Sequence, residues 1–401
     1  MTIRELRLIT RLNVGGPAQH VVWLDEALTA NGFQTMLVTG TVPPGEEDMS
    51  AFAAAHGVEP LVIPSMSREL SPLDLVTIWK LWRLMVRFRP HIVHTHTAKA
   101  GAVGRVAGLL YRFLSRPGYR CRFVHTYHGH VFHSYYGPLR SALFVTIERL
   151  LARLNTDRII VLSEQQRHEI RDVFRVGRAE QFAVVPLGID VEELSREAKA
   201  AAHGPAGDMP VVGIVGRLTA IKNHDLFLRV AAQTGDVARF VVYGDGADRA
   251  RIERRAEELG VADRVLFAGT RPAAEICGSL DLIALTSLNE GTPLALIEAM
   301  ACGVPVIATA VGGVVDLLGA LVERDPAGFE VRERGIAVPS GDVAAFAAGL
   351  RRLLREKPLQ RRLAESARSY VQKTHAKERL ATDIIGLYYK LSEQRRSDRD
   401  N

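Results

Sequence analysis

The sequence predicts an α/β protein made of two doubly wound domains in tandem. Short β-branched runs alternate with amphipathic helical patterns from end to end, which is typical of parallel sheets covered by helices on both faces. The alternation occurs twice, on either side of a polar, small-residue segment at 191–210. A chain of 401 residues is also too long for one ordinary core. We therefore expect two domains that face each other across a cleft at the carboxyl ends of their strands.

The predicted strands alternate with crossover helices in both halves of the chain. The first series of strands reads LRLITRL, QTMLVTG, LVIP, IVHTHT, RFVHTYH and RIIVLSE, and the second reads VVGIVGRL, RFVVYGDG, RVLFAGT, LIALTSL, VPVIATAV and GIAVPS. The predicted bounds are 1–190 for the first domain and 191–375 for the second. Residues 376–401 are predicted as a helix that packs back on the first domain, followed by a disordered tail, SDRDN.

The composition is that of an ordinary folded protein, with 47% hydrophobic and 24% charged residues. Cys121, Cys277 and Cys302 lack the paired spacing of metal or redox motifs, so we expect buried, reduced thiols. The N-terminus lacks the apolar core of a signal peptide, and no apolar run approaches the roughly 20 residues that span a bilayer. These features predict a cytoplasmic location.

The positive charge is concentrated in one segment, 75–147, which contains eleven Lys and Arg residues and no Asp or Glu. Two interpretations stay open: solvated helix faces, or a surface that attracts anionic lipid or phosphate groups. Nucleic acid is not expected as a partner, because no aromatic-basic interleaving or known binding module accompanies the charge.

The motif NEGTPLALIEAMACGVPVIAT, residues 289–309, places two glutamates around an apolar helix. Thr292 and Pro293 fit an N-cap and a first helical position, directly after the predicted strand LIALTSL. A helix start at the carboxyl end of a strand favours anions. Glu290 and Glu298 flank it, so we expect them to hold neutral hydroxyls such as those of sugars. We also expect both carboxylates to be solvated or unpaired until a ligand binds.

The loop in VGRLTAIKNHD supplies cations for a phosphate. Arg217 follows a strand directly, Lys222 precedes a helix, and Gly213 and Gly216 allow a close approach of backbone. The alternative is an ordinary strand-to-helix loop with surface cations. The later turns YGDG and FAGTR are common after strands, so taken alone they are weak evidence for a binding site.

In the first domain, LNVGGPAQH follows the first predicted strand. Gly15 and Gly16 lie where loop backbone contacts a ligand and opens a helix. The pattern is not the G-x-G-x-x-G of dinucleotide folds, and no acidic residue follows in a second strand at the required place. An enzyme of hydride transfer is therefore disfavoured.

Histidines are concentrated at two neighbouring strand ends: His91, His94, His96, His125, His128, His130 and His133. A zinc site is disfavoured, because HTHT alternates its side chains on a strand and no paired Cys or H-E-x-x-H accompanies it. His128, at the end of RFVHTYH, is best placed to enter the cleft. His94 and His125 are expected in the core or in support of the site.

Taken together, these motifs resemble the family 4 retaining glycosyltransferases over nearly the whole chain. The matching pieces are GGPAQH, HTHTAKAGAVGR, HTYHGH, VVPLGID, VGRLTAIKN, YGDG, FAGT and the 289–309 motif, which fits the family's E-x7-E signature. The resemblance implies the GT-B fold of two Rossmann-like domains. It also implies a nucleotide-diphosphate sugar as donor, with no metal and no other cofactor.

The resemblance also implies a role for each motif residue. Glu298 would bind the donor ribose, Glu290 the sugar, and Arg217 with Lys222 the diphosphate, the role that a metal has in other enzymes. His128 would contact the donor sugar and the reaction centre. The remaining donor-binding positions are Gly15, Gly16, Gly216, Tyr243, Gly244, Thr270, Gly291, Thr292, Pro293 and Leu294.

The expected reaction moves a hexose or N-acetylhexosamine from a nucleotide-diphosphate sugar, expected to be a UDP-sugar, to an acceptor hydroxyl. The configuration at the anomeric carbon is expected to be retained. HTYHGHVFHSYYG is similar to members that build bacterial surface polysaccharides, which suggests a lipid-diphosphate-linked acceptor. IWKLWRLMVRFRP, residues 78–90, either packs on the sheet or places Trp79, Trp82 and Phe88 at the inner face of the cytoplasmic membrane.

Two other functions remain as alternatives. A sugar-nucleotide 2-epimerase shares the architecture, but that class lacks the Glu-Gly-Thr-Pro sequence found here. A non-catalytic sugar-nucleotide binder would not need both cations, both glutamates and the histidine together.

Overall fold

The structure is a computed structural model that describes residues 2–13, 15–43, 48–67, 71–115, 121–128, 138–202 and 209–400. For 138–141 and 394–400 it describes the backbone only. The chain forms two compact units. Unit 1 contains the residues up to Gly188 and those from Lys377 onward, and unit 2 is Ile189–Ala376. The bounds predicted from the sequence were 190 and 375.

Unit 1 contains a parallel sheet of seven strands within its described residues. The strand order is β3-β2-β1-β4-β5-β6-β7. The strands are β1 (Arg4–Ile9), β2 (Gln34–Thr39), β3 (Leu61–Val62), β4 (Ile92–His96), β5 (Arg122–Thr126), β6 (Arg158–Val161) and β7 (Phe182–Val184).

Helices connect these strands as crossovers. They are α1 (Gly16–Ala30), α2 (Ser50–Ala55), α3 (Leu73–Phe88), α4 (Ala98–Leu114), α5 (Pro138–Asn155) and α6 (Glu164–His168), with a π-helical turn at Glu169–Val173 and a 3-10 turn at Ala179–Gln181. The core strands are buried on both faces, so β4 carries no exposed residue.

Unit 2 contains a sheet of eight strands within its described residues, in the order β10-β9-β8-β11-β12-β15-β14-β13. The strands are β8 (Val211–Val215), β9 (Arg239–Tyr243), β10 (Val265–Gly269), β11 (Leu282–Leu285), β12 (Val306–Thr309), β13 (Leu321–Arg324), β14 (Glu330–Arg332) and β15 (Gly335–Val338). All neighbours pair in parallel except β13 with β14 and β14 with β15, which pair antiparallel at one edge.

The helices of unit 2 cover this sheet. They are α7 (Val191–Ala201), α8 (His224–Thr234), α9 (Arg249–Glu258), α10 (Ala273–Ser279), α11 (Leu294–Ala301), α12 (Val314–Leu318), α13 (Val343–Arg355) and α14 (Lys357–Thr374), with 3-10 turns at Ala220–Lys222 and Ala262–Arg264. Much of the expected interdomain segment is therefore helix α7. Its buried positions Val191, Ser195 and Ala198 recur at helical spacing, which explains the difference.

The last helix, α15 (Lys377–Asp400), packs on unit 1. Its buried residues Leu380, Ile384, Tyr388 and Leu391 belong to one cluster with α1 and the neighbouring strands. The disordered tail expected from Ser397 is wrong as far as Asp400, because the backbone is helical to that residue.

The two sheets share one departure from an apolar core, which is a row of polar residues at the carboxyl ends of central strands. In unit 1 these are His94, Thr95 and His96, and in unit 2 they are Thr286 and Ser287, all buried. Buried polar groups need partners, so these strand ends show where each unit departs from simple packing.

Candidate functional site

The turn that follows β11 is held by side-chain hydrogen bonds to the neighbouring loops. The Thr286 hydroxyl donates to the carbonyl of Lys222 at 3.0 Å, and the Thr309 hydroxyl donates to the carbonyl of Ser287 at 2.7 Å. The backbone N–H of Leu288 donates to the carbonyl of Ile221 at 2.8 Å. These bonds place the 289–309 motif beside the loop that carries Lys222.

Lys222 and Glu290 form an ion pair at these strand ends. Lys222 Nζ lies 2.6 Å from Glu290 Oε1, and the side chains are 22% and 12% exposed. The Ser287 hydroxyl donates to the same oxygen at 2.6 Å. Within the described residues no hydrogen bond reaches Glu290 Oε2. The expectation that Glu290 is unpaired without a ligand is therefore wrong, because Lys222 and Ser287 already neutralise and bind one of its oxygens.

The backbone of Glu290 is positioned by two glycines. The N–H of Gly313 donates to the Glu290 carbonyl at 3.1 Å. A Cβ added to Gly312 would lie 1.8 Å from the same carbonyl oxygen, and Gly312 has a φ of 53°. Only glycine allows this approach. The Gly312 and Gly313 turn therefore supports the position of Glu290.

Helix α11 begins one residue later than predicted. Its first residue is Leu294 and its N-cap is Pro293, in an extended conformation and without a side-chain cap. The N–H groups of Leu296 and Ile297 donate to the Pro293 carbonyl. Thr292 is therefore not the N-cap, because Pro293 is itself extended and takes the non-helical position directly before the first helical residue, Leu294. The predicted positions Gly291 and Thr292 belong to the approach to the helix.

Glu298 lies in the middle of α11 with its side chain partly exposed. Within the described residues no group is within hydrogen-bond distance of its carboxylate. Burial raises the pKa of Glu298 from 4.5 to about 7. Near neutral pH the group is therefore divided between its charged and neutral forms, and a partner that donates hydrogen bonds would favour the charged form.

Glycine backbone lies at the adjoining strand ends β8, β9 and β10. The N–H of Gly216 donates to the Tyr243 carbonyl at 3.0 Å, and the N–H of Gly244 donates to the Gly269 carbonyl at 2.8 Å. A Cβ on Gly244 would lie 2.1 Å from the Gly216 oxygen. A Cβ on Gly216 would lie 3.6 Å from Lys222 Nζ. The backbone beside Lys222 therefore carries no side chain at Gly216 and Gly244.

The remaining predicted residues of unit 2 differ in exposure. Arg217 and Thr270 are exposed, whereas Tyr243 is buried and its hydroxyl is 2.8 Å from the Ser279 hydroxyl. The structure therefore brings Lys222 and Glu290 into direct contact, and the Gly216 backbone lies beside Lys222. No direct contact joins Thr270 or Glu298 to them within the described residues.

Gly15 and Gly16 open helix α1 of unit 1, as predicted for a loop after the first strand. Gly15 is the N-cap with a φ of 151°, and its carbonyl accepts from the N–H groups of Ala18 and Gln19. That backbone conformation favours glycine. Val14, directly before it, lies outside the described residues.

Three histidines of unit 1 lie together, and we name His20, His96 and His128 the histidine cluster. His96 Nδ1 is 2.8 Å from His128 Nε2. The ring of His20 meets that of His128 edge-on at 4.9 Å and that of His96 at 5.5 Å. His20 and His96 are buried, and His128 is partly exposed. The structure thus gives His128 two histidine neighbours.

Burial keeps the cluster neutral at ordinary pH. It lowers the pKa of His128 to about 3. Burial, together with the neighbouring histidines, lowers the pKa of His20 and of His96 well below 6.5. Neutral imidazoles donate and accept hydrogen bonds without carrying charge.

The other histidines have supporting positions. His94 Nδ1 is 2.7 Å from the Tyr388 hydroxyl and its Nε2 is 2.7 Å from the Thr126 hydroxyl. His94 and His96 share one face of β4, with ring centroids 4.1 Å apart, because residues two apart on a strand point the same way. His125 Nδ1 is 2.8 Å from the Thr95 hydroxyl. His130 and His133 lie outside the described residues.

Sequence reasoning missed His20, Ser287 and Gly312 as site residues. His20 ends the quoted GGPAQH motif, but it is separated from His96 by more than seventy positions of sequence. Ser287 lies three residues before Glu290, in a strand end that was interpreted as apolar core. Contacts of this kind depend on how the loops fold back, which periodicity does not describe.

The basic segment is not a uniform charged surface. Arg105 is fully buried and pairs with Glu148 at 2.7 Å, and Arg112 and Arg122 both pair with Asp157. The acids lie just beyond the segment, so its lack of carboxylates overstated its free charge. Arg116 and Arg120 lie outside the described residues. No helix in the described part of the chain combines the length and apolar character needed to cross a bilayer.

Two family models match the chain almost end to end. The model described as "Glycosyltransferase Family 4" matches residues 14–193, and the model described as "Glycosyl transferases group 1" matches residues 195–370. The chain is 34% identical over 167 residues to D-inositol 3-phosphate glycosyltransferase from Mycolicibacterium smegmatis, covering 39% of this chain and 38% of that protein.

A second relative is UDP-Gal:alpha-D-GlcNAc-diphosphoundecaprenol alpha-1,3-galactosyltransferase from Escherichia coli. It is 28% identical over 269 residues, which cover 64% of this chain and 67% of that protein. Among solved structures, Anabaena Alr3699/HepE in complex with UDP and glucose has a TM-score of 0.77 and 18% identity, covering 97% of this chain and all of that chain. The likeness to the Alr3699/HepE structure, at 18% identity, shows the fold alone.

The two sheets, the residues at their strand ends and both family matches all indicate the same class of protein. The chain belongs to family 4 of the glycosyltransferases, and its fold is GT-B, with two Rossmann-like α/β units.

Proposed function

We propose that the chain is a retaining, metal-independent glycosyltransferase. In this proposal it moves a hexose or N-acetylhexosamine from a UDP-sugar to an acceptor hydroxyl on a lipid-linked saccharide. The family match supports transfer, and the names of two similar proteins support the donor, since one includes UDP-Gal and the other structure was solved with UDP and glucose. The Escherichia coli relative acts on a diphosphoundecaprenol-linked sugar, which supports the acceptor.

The observation that carries the proposal is the Lys222–Glu290 pair at the strand ends of unit 2. Lys222 brings a positive charge next to backbone that lacks side chains, where a diphosphate can approach closely. It would offset the negative charge that develops on the leaving diphosphate, and exposed Arg217 would join it. Glu290 keeps Oε2 for a sugar hydroxyl while Oε1 binds Lys222 and Ser287.

The proposed reaction needs no protein nucleophile. The bond between the anomeric carbon and the diphosphate oxygen breaks, and the acceptor oxygen bonds to that carbon from the same face. The acceptor proton passes to an oxygen of the leaving diphosphate. Glu298 would accept hydrogen bonds from the ribose, and His128 would contact the donor sugar as a neutral imidazole.

Turnover of a sugar nucleotide tests this proposal. We expect the purified chain to hydrolyse or transfer from a UDP-sugar, and Glu290→Ala and Lys222→Ala to abolish it. Unchanged turnover in both variants would contradict the assignment. Release of the free sugar nucleotide's 2-epimer would favour the epimerase, and binding without turnover would favour the binder. A thermal-shift series with UDP-, GDP- and ADP-sugars identifies the donor base.

An anionic membrane surface is the proposed partner for a lipid-linked acceptor, at the inner face of the cytoplasmic membrane. On α3, Trp79 is half exposed and the Arg83 guanidinium lies 4.9 Å from its ring centroid. Lys80 and Arg87 are exposed on the same helix. Trp82 and Phe88 pack on the core instead, so Trp79 is the one exposed residue of the three aromatic residues predicted to meet the membrane.

Vesicle sedimentation tests this surface. We expect the chain to bind vesicles rich in anionic lipid at low salt, and Arg83→Glu combined with Arg87→Glu to weaken binding about tenfold or more, at about 1 kcal/mol for each basic residue. The exposed Arg361→Glu in unit 2 is the control. Equal binding by all proteins would remove α3 as the contact.

A further inference from the structure

The geometry of the histidine cluster points to a ligand that nothing above assigns. We propose that His20, His96 and His128 form a site for one transition-metal dication, Zn²⁺ in the first place, held by one nitrogen of each ring. Among the described residues, this is the one group of three His, Cys, Asp or Glu side chains whose ligand atoms lie close enough to share an ion.

The spacing of the nitrogens suits such an ion. One ligand atom from each ring lies within 4.8 Å of the others. Zn–N bonds of about 2.0–2.1 Å in a tetrahedral site place ligands on the order of 3.4 Å apart. His96 Nδ1 and His128 Nε2 are 2.8 Å apart, so a small outward rotation of the rings admits the ion.

Several nitrogens of the cluster have no hydrogen-bond partner among the described residues. Within that part of the chain, both ring nitrogens of His20 are buried without a hydrogen bond, as are His96 Nε2 and His128 Nδ1. A buried polar atom without a partner costs free energy, and a metal bond would recover it for His20. Three histidine ligands with one open position is a known zinc arrangement.

The protonation state favours metal binding as well. Burial holds all three rings in the neutral form, which is the form that binds a metal. The proton shared by His96 and His128 moves to the other nitrogen of its own ring when the ion enters. No proton therefore needs to leave the protein.

The neighbouring groups define the size of the site. His94 stacks on His96, but both of its nitrogens already bond to Tyr388 and Thr126, so it is not a ligand. Arg7 and Arg379 are the cations that face the cluster electrostatically. Arg379 lies 2.7 Å from Asp383, so a carboxylate offsets its repulsion of a dication. Arg7 lies 3.1 Å from Glu5, and burial raises the pKa of Glu5 to about 7, so Glu5 offsets the charge of Arg7 only in part near neutral pH.

The expected consequence is inhibition. A metal that binds His128 withdraws this side chain from the donor sugar, and this consequence rests on the proposed function. It is separate from catalysis itself, which we propose needs no metal.

Metal binding is measured first, on the full chain stripped with chelator. We expect Co²⁺ to produce the visible absorption of a low-symmetry site at one equivalent per chain, and Zn²⁺ to displace it. His20→Gln and His96→Gln should each weaken Zn²⁺ binding at least 100-fold in competition with a chromogenic chelator. His168→Gln, at a histidine whose side chain is 71% exposed on α6, is the matched control and should bind as wild type.

A second readout separates lost ligands from lost folding. Zn²⁺ should raise the melting temperature of the wild type and of His168→Gln, and leave that of the two cluster variants unchanged. The far-ultraviolet circular dichroism of each variant is compared without metal. The proposal is overturned if the wild type binds no stoichiometric metal, or if both cluster variants, still folded, bind it with unchanged affinity.

Measurement of turnover tests the expected inhibition. We expect Zn²⁺ to reduce UDP-sugar turnover with the same midpoint as its binding, and a chelator to restore it. Stoichiometric binding without loss of turnover would keep the metal site and overturn the inhibition. Failure of the metal-free chain to turn over any sugar nucleotide would instead remove the proposed function and leave the binding result intact.

Discussion

The two units place polar groups at the ends of their central strands in opposite ways. Unit 1 buries neutral imidazoles, several of whose nitrogens have no hydrogen-bond partner within the part of the chain that the structure describes. Unit 2 has a charged pair, Lys222 with Glu290, partly exposed and surrounded by glycine backbone. A charged group is retained where an ion partner lies beside it, as for Lys222 with Glu290, whereas burial of the histidine cluster without such a partner favours the neutral form. The same α/β layout therefore carries an ion pair at the strand ends of unit 2 and neutral imidazoles at those of unit 1.

Removing the charge from unit 2 should have the largest effect. We expect Lys222→Met to lower turnover roughly 1000-fold, about 4 kcal/mol, because a preorganised partner of the leaving group is lost. If the ion pair acts as one unit, Lys222→Met with Glu290→Gln should be little worse than the poorer single variant. Steady-state rates measure this, with the exposed Lys357→Met as control. A loss of turnover of less than threefold would contradict the proposed difference between the two units.

The glycine backbone of unit 2 is the next test. Gly244→Ala should destabilise unit 2 by about 3 kcal/mol or more, since its Cβ would lie 2.1 Å from the Gly216 oxygen at a φ of 122°. Gly260→Ala is the matched control, with a φ of 66° and open space around its Cβ, and should cost about 1 kcal/mol. Calorimetric melting distinguishes them. Equal shifts would mean that backbone strain alone, and not close approach, requires glycine at Gly244.

Glu298 is an exception within unit 2, because burial raises its pKa from 4.5 to about 7. The unfolded chain loses this proton near pH 4.5 and the folded chain near pH 7. The wild type therefore loses stability between these values as pH rises, and the loss is complete above pH 7. Glu298→Gln should be more stable than wild type by about 2 kcal/mol at pH 8, after allowance for partial exposure, and about equal at pH 4.

Melting curves at both pH values check this prediction, with the exposed Glu275→Gln on α10 as control. A Glu298→Gln difference that is the same at pH 4 and pH 8 would contradict it. That result would mean that Glu298 behaves like a solvated carboxylate and is not an exception within unit 2.

The smallest effect is expected in unit 1, from His96→Asn. In the proposed function His96 acts through its contact with His128, so we expect about tenfold lower kcat with the donor KM nearly unchanged. Because His96 is fully buried, we also expect a lower melting temperature. His168→Asn, at an exposed position, should match wild type. A loss in melting temperature without a change in kcat would make His96 structural only.

Much of the fold was predictable because its cause is local. Val- and Ile-rich runs in alternation with helical patterns predict parallel strands and crossovers, and twelve of the strands follow these runs. The short β7 and the β13–β14 hairpin were missed, since each is brief and lies at or next to a sheet edge. Helix α7 was interpreted as a linker because its polar face dominates its composition.

The sequence by itself determined the α/β class, the motif residues and the family. These depend on periodicity and on spacing along the chain. Only the tertiary structure decided that Glu290 binds Lys222 and Ser287, that α11 starts after Pro293, and that His20 joins His96 and His128. Such contacts join residues tens of positions apart, and their geometry depends on sheet order and loop closure. The protonation of the histidines and of Glu298 follows from the same cause, because burial belongs to the folded chain.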